Sequence, residues 1–331
     1  MAYTTIANPE LYFQSKTYSG NGSTNAITLD GSENMQSDFI WFKRRDGADN
    51  HILFDDVRGV TKGLYSDLTN AEDNLADSLS SFDSNGFTLG ADTGSGGSIN
   101  GSSESCVAWC WKESATAGFD IVSFTGNGSA RTISHSLSAK PDFFVVKGRT
   151  FGEQWECYHT SLGATKCLQW DDNSAEADLA NRFNDTEPTS SVFTVGDADA
   201  VNKNTYTYIT YLWRSVQGFS RFSKYTGNGN ANGTFIHLGF RPAWFLVKRS
   251  DSANSWHLVD AKRNTFNPTQ NGLFPDTNDG ENTGNQFDFL ANGVKLNSSD
   301  GGYNASGGTY IFMAFAEQPF VNSNGTPANA R

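Results

Sequence analysis

The chain has 331 residues, of which 37% are hydrophobic, 13% aromatic and 18% charged; that is enough apolar material for packed cores and excludes a chain disordered throughout. Lys and Arg number 24 against 36 Asp and Glu, a net charge of −12, so phosphate backbones and anionic lipid are repelled and neither nucleic acid nor a membrane is an expected partner. No stretch approaches the roughly 20 apolar residues that span a bilayer.

In chain order, "MAYTTIANPELYFQSK" (1–16) has neither the basic n-region nor the apolar h-region of a secretory signal. Its Tyr3, Ile6, Leu11, Tyr12 and Phe13 are too apolar for a free tail. The segment is therefore predicted to be an attachment arm lying outside the first domain. From Tyr18 a pattern begins that recurs twice. Tyr18, Phe124 and Tyr225 each precede a Gly-Asn-Gly turn. Apolar runs start at Phe39, Phe143 and Trp244 and end in Lys43, Lys147 and Lys248; His51, Trp155 and Trp256 follow. Short segments "SNGFTL" (84–89), "SSVFTV" (190–195) and "ANGVKL" (291–296) come next. Each copy closes on an aromatic run, in which Trp111, Trp213 and Phe315 stand 102 residues apart.

Landmarks recurring in one order at a period near 102 predict an internal triplication. A unit of about 100 residues is a whole domain rather than a solenoid turn. Runs such as "DFIWFK", "DFFVVK" and "AWFLVK" are short, aromatic and β-branched, apolar on both parities, and bounded by turn residues; they read as central strands covered on both faces. The best helical candidate, "NAEDNLADSLSSF" (70–82), has irregular apolar spacing. The expected fold is all-β: three tandem antiparallel, jelly-roll-like β-sandwiches of about six to eight strands each. Their expected spans are 17–113, 118–216 and 219–320, with a C-terminal tail at 321–331. Trp111, Trp213 and Phe315 are the expected core landmarks.

A long polar loop precedes the last strand of each copy, at 90–105, 196–205 and 297–309. Loops on a rigid β-scaffold are where binding specificity usually sits. The candidate binding residues are Asp92 and Asn100 in the first loop, Asp197, Asp199 and Asn202 in the second, and Asp300, Tyr303 and Asn304 in the third. "DADAVNKN" (197–204) and "DTNDGE" (276–281) offer oxygen ligands, but neither completes a twelve-residue calcium loop. His51, His135, His159, His237 and His257 form no HExxH or HxH, and no GxSxG occurs. No catalytic residue, metal site or cofactor is expected. The repeated lysines read as ion-pair partners within each sandwich, Lys43 with Asp55 and Lys248 with Asp260. Cys106, Cys110, Cys157 and Cys167 form no CxxC pair and read as buried free thiols, as in a reducing cytosol.

The segments "IANPELYFQSKTYSGNGST", "MQSDFIWFKRRDG", "HILFDDVRGVTKGLYS", "SFDSNGFTLG" and "VAWCWK" resemble a repeat-containing family of tail-fibre and virion structural proteins in tailed bacteriophages, particularly marine ones. The resemblance is closest over residues 1–113 and weakens through copies two and three, where "FDDVRG" has no clean counterpart in "YHTSLG" or "LVDAKR". It implies a virion part, made in the host cytoplasm, and supplies no catalytic residues. The expectation is a non-enzymatic surface component, a tail-fibre or adhesin protein contacting host glycan or envelope protein through its loops. The alternative is a capsid decoration or head-fibre protein bound to the shell. Other virion proteins are the expected partners, with a homotrimer as the expected assembly.

Overall fold

The computed structural model describes residues 3–93, 98–321 and 324–327; part of the first polar loop (94–97), the start of the arm (1–2) and most of the predicted C-terminal tail lie outside the described residues. Strands β1 (Phe13–Ser19), β2 (Asn25–Thr28), β3 (Phe39–Arg44), β4 (Ile52–Asp55), β5 (Lys62–Tyr65), β6 (Asp73–Asn74), β7 (Leu79–Asp83), β8 (Gly86–Leu89) and β9 (Ser105–Trp111) make up the first copy. The second holds β10 (Phe119–Thr125), β11 (Arg131–Ser134), β12 (Phe143–Gly148), β13 (Glu156–His159), β14 (Lys166–Gln169), β15 (Ala177–Asp178), β16 (Val192–Val195) and β17 (Thr207–Trp213), with the one-turn helices α1 (Ala180–Phe183) and α2 (Asp199–Asn202). The third holds β18 (Ser220–Thr226), β19 (Phe235–His237), β20 (Phe240–Arg249), β21 (His257–Asp260), β22 (Phe287–Leu290), β23 (Gly293–Leu296) and β24 (Thr309–Pro319).

The protein is all-β with antiparallel sheets, and one strand order recurs. The large sheets run β1-β9-β3-β4-β5-β6, β10-β17-β12-β13-β14-β15 and β18-β24-β20-β21. The small sheets run β2-β8-β7, β11-β16 and β19-β23-β22. In the second copy α1 replaces the third small-sheet strand. Register fixes which positions correspond: Phe13, Phe119 and Ser220 lie opposite Trp111, Trp213 and Phe315, and so do Phe39, Phe143 and Trp244 from the other side.

Strand periodicity of two then divides each central strand between two cores. Ile40 and Phe42, Phe144 and Val146, and Phe245 and Val247 point into three separate sandwich cores. Phe39 and Trp41, Phe143 and Val145, and Trp244 and Leu246 point the other way, into a fourth core that all three copies share. Trp111, Trp213 and Phe315 belong to it; Trp111 packs edge-on against Trp213 and Phe315 with ring centroids 6.5 and 5.5 Å away.

The sandwiches are thus not separate bodies strung in tandem. Each large sheet carries an aromatic outer face that water would otherwise wet, and the copies cover one another's faces. The contacts close into a ring. The backbone N–H of Glu72 donates to Arg149 O, that of Glu176 to Ser250 O, and that of Glu281 to Arg45 O. First meets second, second meets third, and third meets first.

Two expectations about segments change. The arm does not extend to residue 16, because Phe13–Lys16 pair with Ala108–Trp111 inside the first large sheet. Residues 3–12 cross instead to the third copy, where Tyr3 OH donates to Gly239 O, Thr4 Oγ1 donates to Gln217 O, and Tyr12 packs on Phe219. The segment 70–82 forms no helix; it supplies β6 and the start of β7, with only Leu79 fully buried among its apolar residues. Its irregular spacing offers no helical stripe to bury.

Candidate functional site

The Gly-Asn-Gly turn and the polar loop of each copy form one unit. A Cβ on Gly20, Gly126 or Gly227 would lie 2.2, 2.1 or 2.3 Å from a loop carbonyl, so the close approach demands glycine. Asn100, Asn202 and Asn304 tie the unit together. Each side-chain oxygen accepts from a turn N–H, of Asn21, Asn127 and Asn228, at 3.0–3.1 Å. Each Nδ2 donates to a turn carbonyl and to a carbonyl at the loop entry: Ser23 and Gly90, Ser129 and Gly196, Asn230 and Ser298.

These asparagines are fully buried. They are pins of the loop and present no surface to a partner, which corrects their expected role. Tyr303 is also buried, 4.5 Å from the Phe287 ring between centroids. Asp92 is turned inward and accepts from Ser78 Oγ and from the N–H groups of Ile99 and Asn100. Asp197, Asp199 and Asp300 are exposed; Asp199 pairs with Lys203 at 2.8 Å, and Asp300 caps the Gly302 N–H.

The repeated lysines do not pair with Asp55 and Asp260. All three are fully buried and cap backbone carbonyls, one of them always from the preceding member of the ring. Lys43 Nζ donates to Arg44 O, Gly47 O and Asn278 O; Lys147 Nζ to Thr69 O and Glu153 O; Lys248 Nζ to Asn173 O and Arg249 O. Burial pulls each ammonium down to about 8, against the nearby carboxylates that raise it. Burial likewise pushes Asp67 up to about 7 and Asp171 up to about 6.

Asp55 and Asp260 have other partners. Arg58 meets Asp55 at 2.5 Å with both side chains fully buried, and Tyr211 OH of the second copy donates to the same carboxylate at 2.6 Å. Arg263 meets Asp260 at 2.5 Å, and Trp109 Nε1 of the first copy donates to it at 3.0 Å. "LVDAKR" is therefore the counterpart of "FDDVRG", contrary to expectation. Only the second copy departs, with His159 in the Asp position and Leu162 where the Arg would stand. Burial lowers His159 to about 4.

These buried hydrogen bonds and ion pairs fasten loop to turn and copy to copy. His51 and His159 are buried, whereas His237 is exposed; His51 accepts from Trp41 Nε1 at 2.9 Å, in the place held elsewhere by Trp155 and Trp256. All four cysteines are buried free thiols. Among the described residues no three His, Cys, Asp or Glu side chains are grouped to hold a metal, and no helix is long and apolar enough to cross a membrane.

Two recurrences mark structural positions that local composition hides. Asn100, Asn202 and Asn304, named above as candidate binding residues, stand 102 apart, the same interval as Trp111, Trp213 and Phe315, but inside polar loop segments. Glu72, Glu176 and Glu281 recur at nearly the same interval, and each lies at a junction between copies.

No curated protein matches the sequence. A family model described as "Domain of unknown function (DUF7483)" matches residues 8–319, from the later part of the arm through the three copies and the junctions between them. The chain belongs to the DUF7483 family.

Proposed function

We propose that this chain is a non-enzymatic virion structural protein of a tailed bacteriophage, displayed on the particle as a tail-fibre or adhesin component. The observation that carries the reading is the threefold recurrence of one pinned loop on a closed ring. A buried asparagine fastens each loop to its turn, and a shared aromatic core fastens the three copies to each other. Such a scaffold holds exposed loop residues, Asp197, Asp199 and Asp300 among them, in fixed relative positions. Host glycan or envelope protein is the partner class, and other virion proteins hold the chain in place. The resemblance of the first copy to phage virion proteins supports the location.

Imaging of the purified particle by cryo-electron microscopy, with antibody against the recombinant chain, tests this. Label on the tail is the expected result. Label on the shell replaces it with the capsid-decoration reading, and a particle without the chain overturns both. Turnover of host polysaccharide by the isolated chain would overturn the non-enzymatic part. Mass in solution separates a single ring from the homotrimer expected of fibres. The ring gives each copy different neighbours within one chain, so divergence of the copies does not by itself require a trimer.

A further inference from the structure

Three equivalent places exist where the start of one large sheet meets the end of its ring neighbour. Two are filled. Ile121 and Phe222 are both buried in the common core. The corresponding residue of the first copy is Ser15, by register against Trp109 as Ile121 is against Tyr211 and Phe222 against Met313. On the opposite wall, the positions of Asp38 and Asp142 hold Ala243, and those of Lys112 and Arg214 hold Ala316. The three small residues fall at one junction, between the third copy and the first, and together line a cavity of about 220 Å³.

The cavity is polar at its sides. Glu10, Asp30, Lys262 and Glu317 line it with Gln14. Asp30 is held between Lys262 at 2.8 Å and Lys16 at 3.2 Å, Glu317 pairs with Arg241 at 3.2 Å, and Glu10 accepts from the Ser32 N–H and Oγ. Asp30 and Glu317 are thus paired with cations and Glu10 with an amide and a hydroxyl, so the side chains are pre-positioned. A carboxylate accepts up to about four hydrogen bonds, so Glu10 and Asp30 retain acceptor capacity. Ser15 Oγ is buried without a hydrogen-bond partner among the described residues. Phe266, next in sequence to the lining Thr265, is 79% exposed.

We infer that this cavity is a binding site for one neutral sugar ring. Hydroxyl groups both donate and accept, which matches carboxylates, an ammonium and an orphaned serine hydroxyl together. An anionic ring would face the Glu10 carboxylate, whose partners are an amide and a hydroxyl rather than a cation, and an apolar ligand would leave Ser15 Oγ unmet. The volume lies below the roughly 300–1,000 Å³ of pockets for drug-sized ligands, so a single ring fits the scale. The alanine faces suit the apolar face of a pyranose. The site lies at the far end of the large-sheet strands from the pinned loops. It deepens the displayed-protein reading by naming a ligand class and a place for it. Binding is read on the isolated chain, whatever the chain's location on a particle.

Saturation-transfer NMR on the full chain tests it with glucose, galactose and N-acetylglucosamine, each to about 10 mM, well above a millimolar Kd. Galacturonate and glycerol serve as controls. The expected result is transfer from at least one neutral sugar, displaced by none of the controls. Ser15→Ile copies the second copy and should weaken binding about tenfold or more. Ala243→Asp fills the cavity from the other wall and should do the same, so a folding failure of one variant leaves the other to decide. Transfer from galacturonate alone, from glycerol equally (an adventitious polyol only), from no sugar, or unchanged in both variants would overturn the site.

Discussion

The junction between the first and second copies and the junction between the second and third carry the same backbone hydrogen bond but different side chains. At the former, Glu72 receives Arg149 of the second copy at 2.9 Å and Arg58 of its own copy at 3.4 Å. The junction that closes the ring repeats this: Glu281 receives Arg45 at 2.9 Å and Arg263 at 3.0 Å. At the remaining junction the positions of these two arginines hold Ser250 and Leu162, and Glu176 Oε2 is buried without a partner among the described residues. The Asp–Arg pair is missing from the same junction. Both arginines and the aspartate are absent together from this junction, while the glutamate remains as Glu176. Ionic fastening is therefore an alternative to apolar fastening at equal backbone geometry, not a requirement of the fold.

The largest test removes one member of a buried pair. Asp55→Ala strands Arg58, fully buried, and Tyr211 OH. We expect a loss of about 3–5 kcal/mol in denaturant unfolding. The double replacement Asp55→His with Arg58→Leu copies the second copy and should recover most of that loss. If the double variant is no more stable than the single one, the two kinds of junction are not interchangeable. A smaller effect is expected where the junctions do not differ. Asn202→Ala removes a pin present in every copy and leaves turn and loop carbonyls unmet, which should cost about 1–3 kcal/mol. Hydrogen exchange of the Asn127 amide should then accelerate. An unchanged rate would show that the turn holds without its pin.

How far these features are legible in sequence depends on the range of the interaction. The strands, the order of the copies and the landmarks Trp111, Trp213 and Phe315 follow from local apolar patterning and a fixed period. Apolar residues on both parities of "DFIWFK" signal two covered faces. They do not say what covers the second face, because that partner lies about 100 or 200 residues away and leaves no local mark. The lysines misled for a similar reason. A cation at a strand end suggests the nearest carboxylate, but Lys43 finds three carbonyls, one of them in the third copy, and Asp55 finds Arg58 three residues on. Asn100 was visible by its period, but it sits in a Gly/Ser-rich loop whose composition suggests exposure.

The lysines give a test of what all junctions share. Lys147 titrates at about 8 in the folded protein and near 10.4 unfolded. Between those values the unfolded chain binds more protons, so stability rises with pH across that window; below about 8 the ammonium is charged in both states and its burial cost is constant. Asp67 and Asp171 act oppositely. Their folded values of about 7 and about 6 exceed the unfolded one, so their contribution is complete below about 3.9 and is lost as pH rises through those values. Lys147→Met should flatten the gain between pH 8 and 10 by on the order of 1 kcal/mol. Parallel curves for variant and wild type would mean that Lys147 is not charged and buried.

The smallest test tries to convert the odd junction into the other kind. The Glu176 N–H already donates to Ser250 O at 2.8 Å, as the Glu72 N–H does to Arg149 O at 2.8 Å, so the backbone that aims the arginine is in place. Ser250 is buried, and its Oγ lacks a hydrogen-bond partner among the described residues. Arg149 and Arg45 retain about a fifth of their side-chain exposure, at 20% and 22%, so an arginine here reaches Glu176 along a partly wet path and its desolvation cost is small. Ser250→Arg should therefore stabilise the protein, by about 0.5–1 kcal/mol at low salt, and the gain should shrink as salt screens the pair. The paired variant Ser250→Arg with Glu176→Gln separates charge pairing from simple filling of space. If it keeps the whole gain, the arginine acts by packing, and the absence of an ion pair from this junction has no electrostatic consequence.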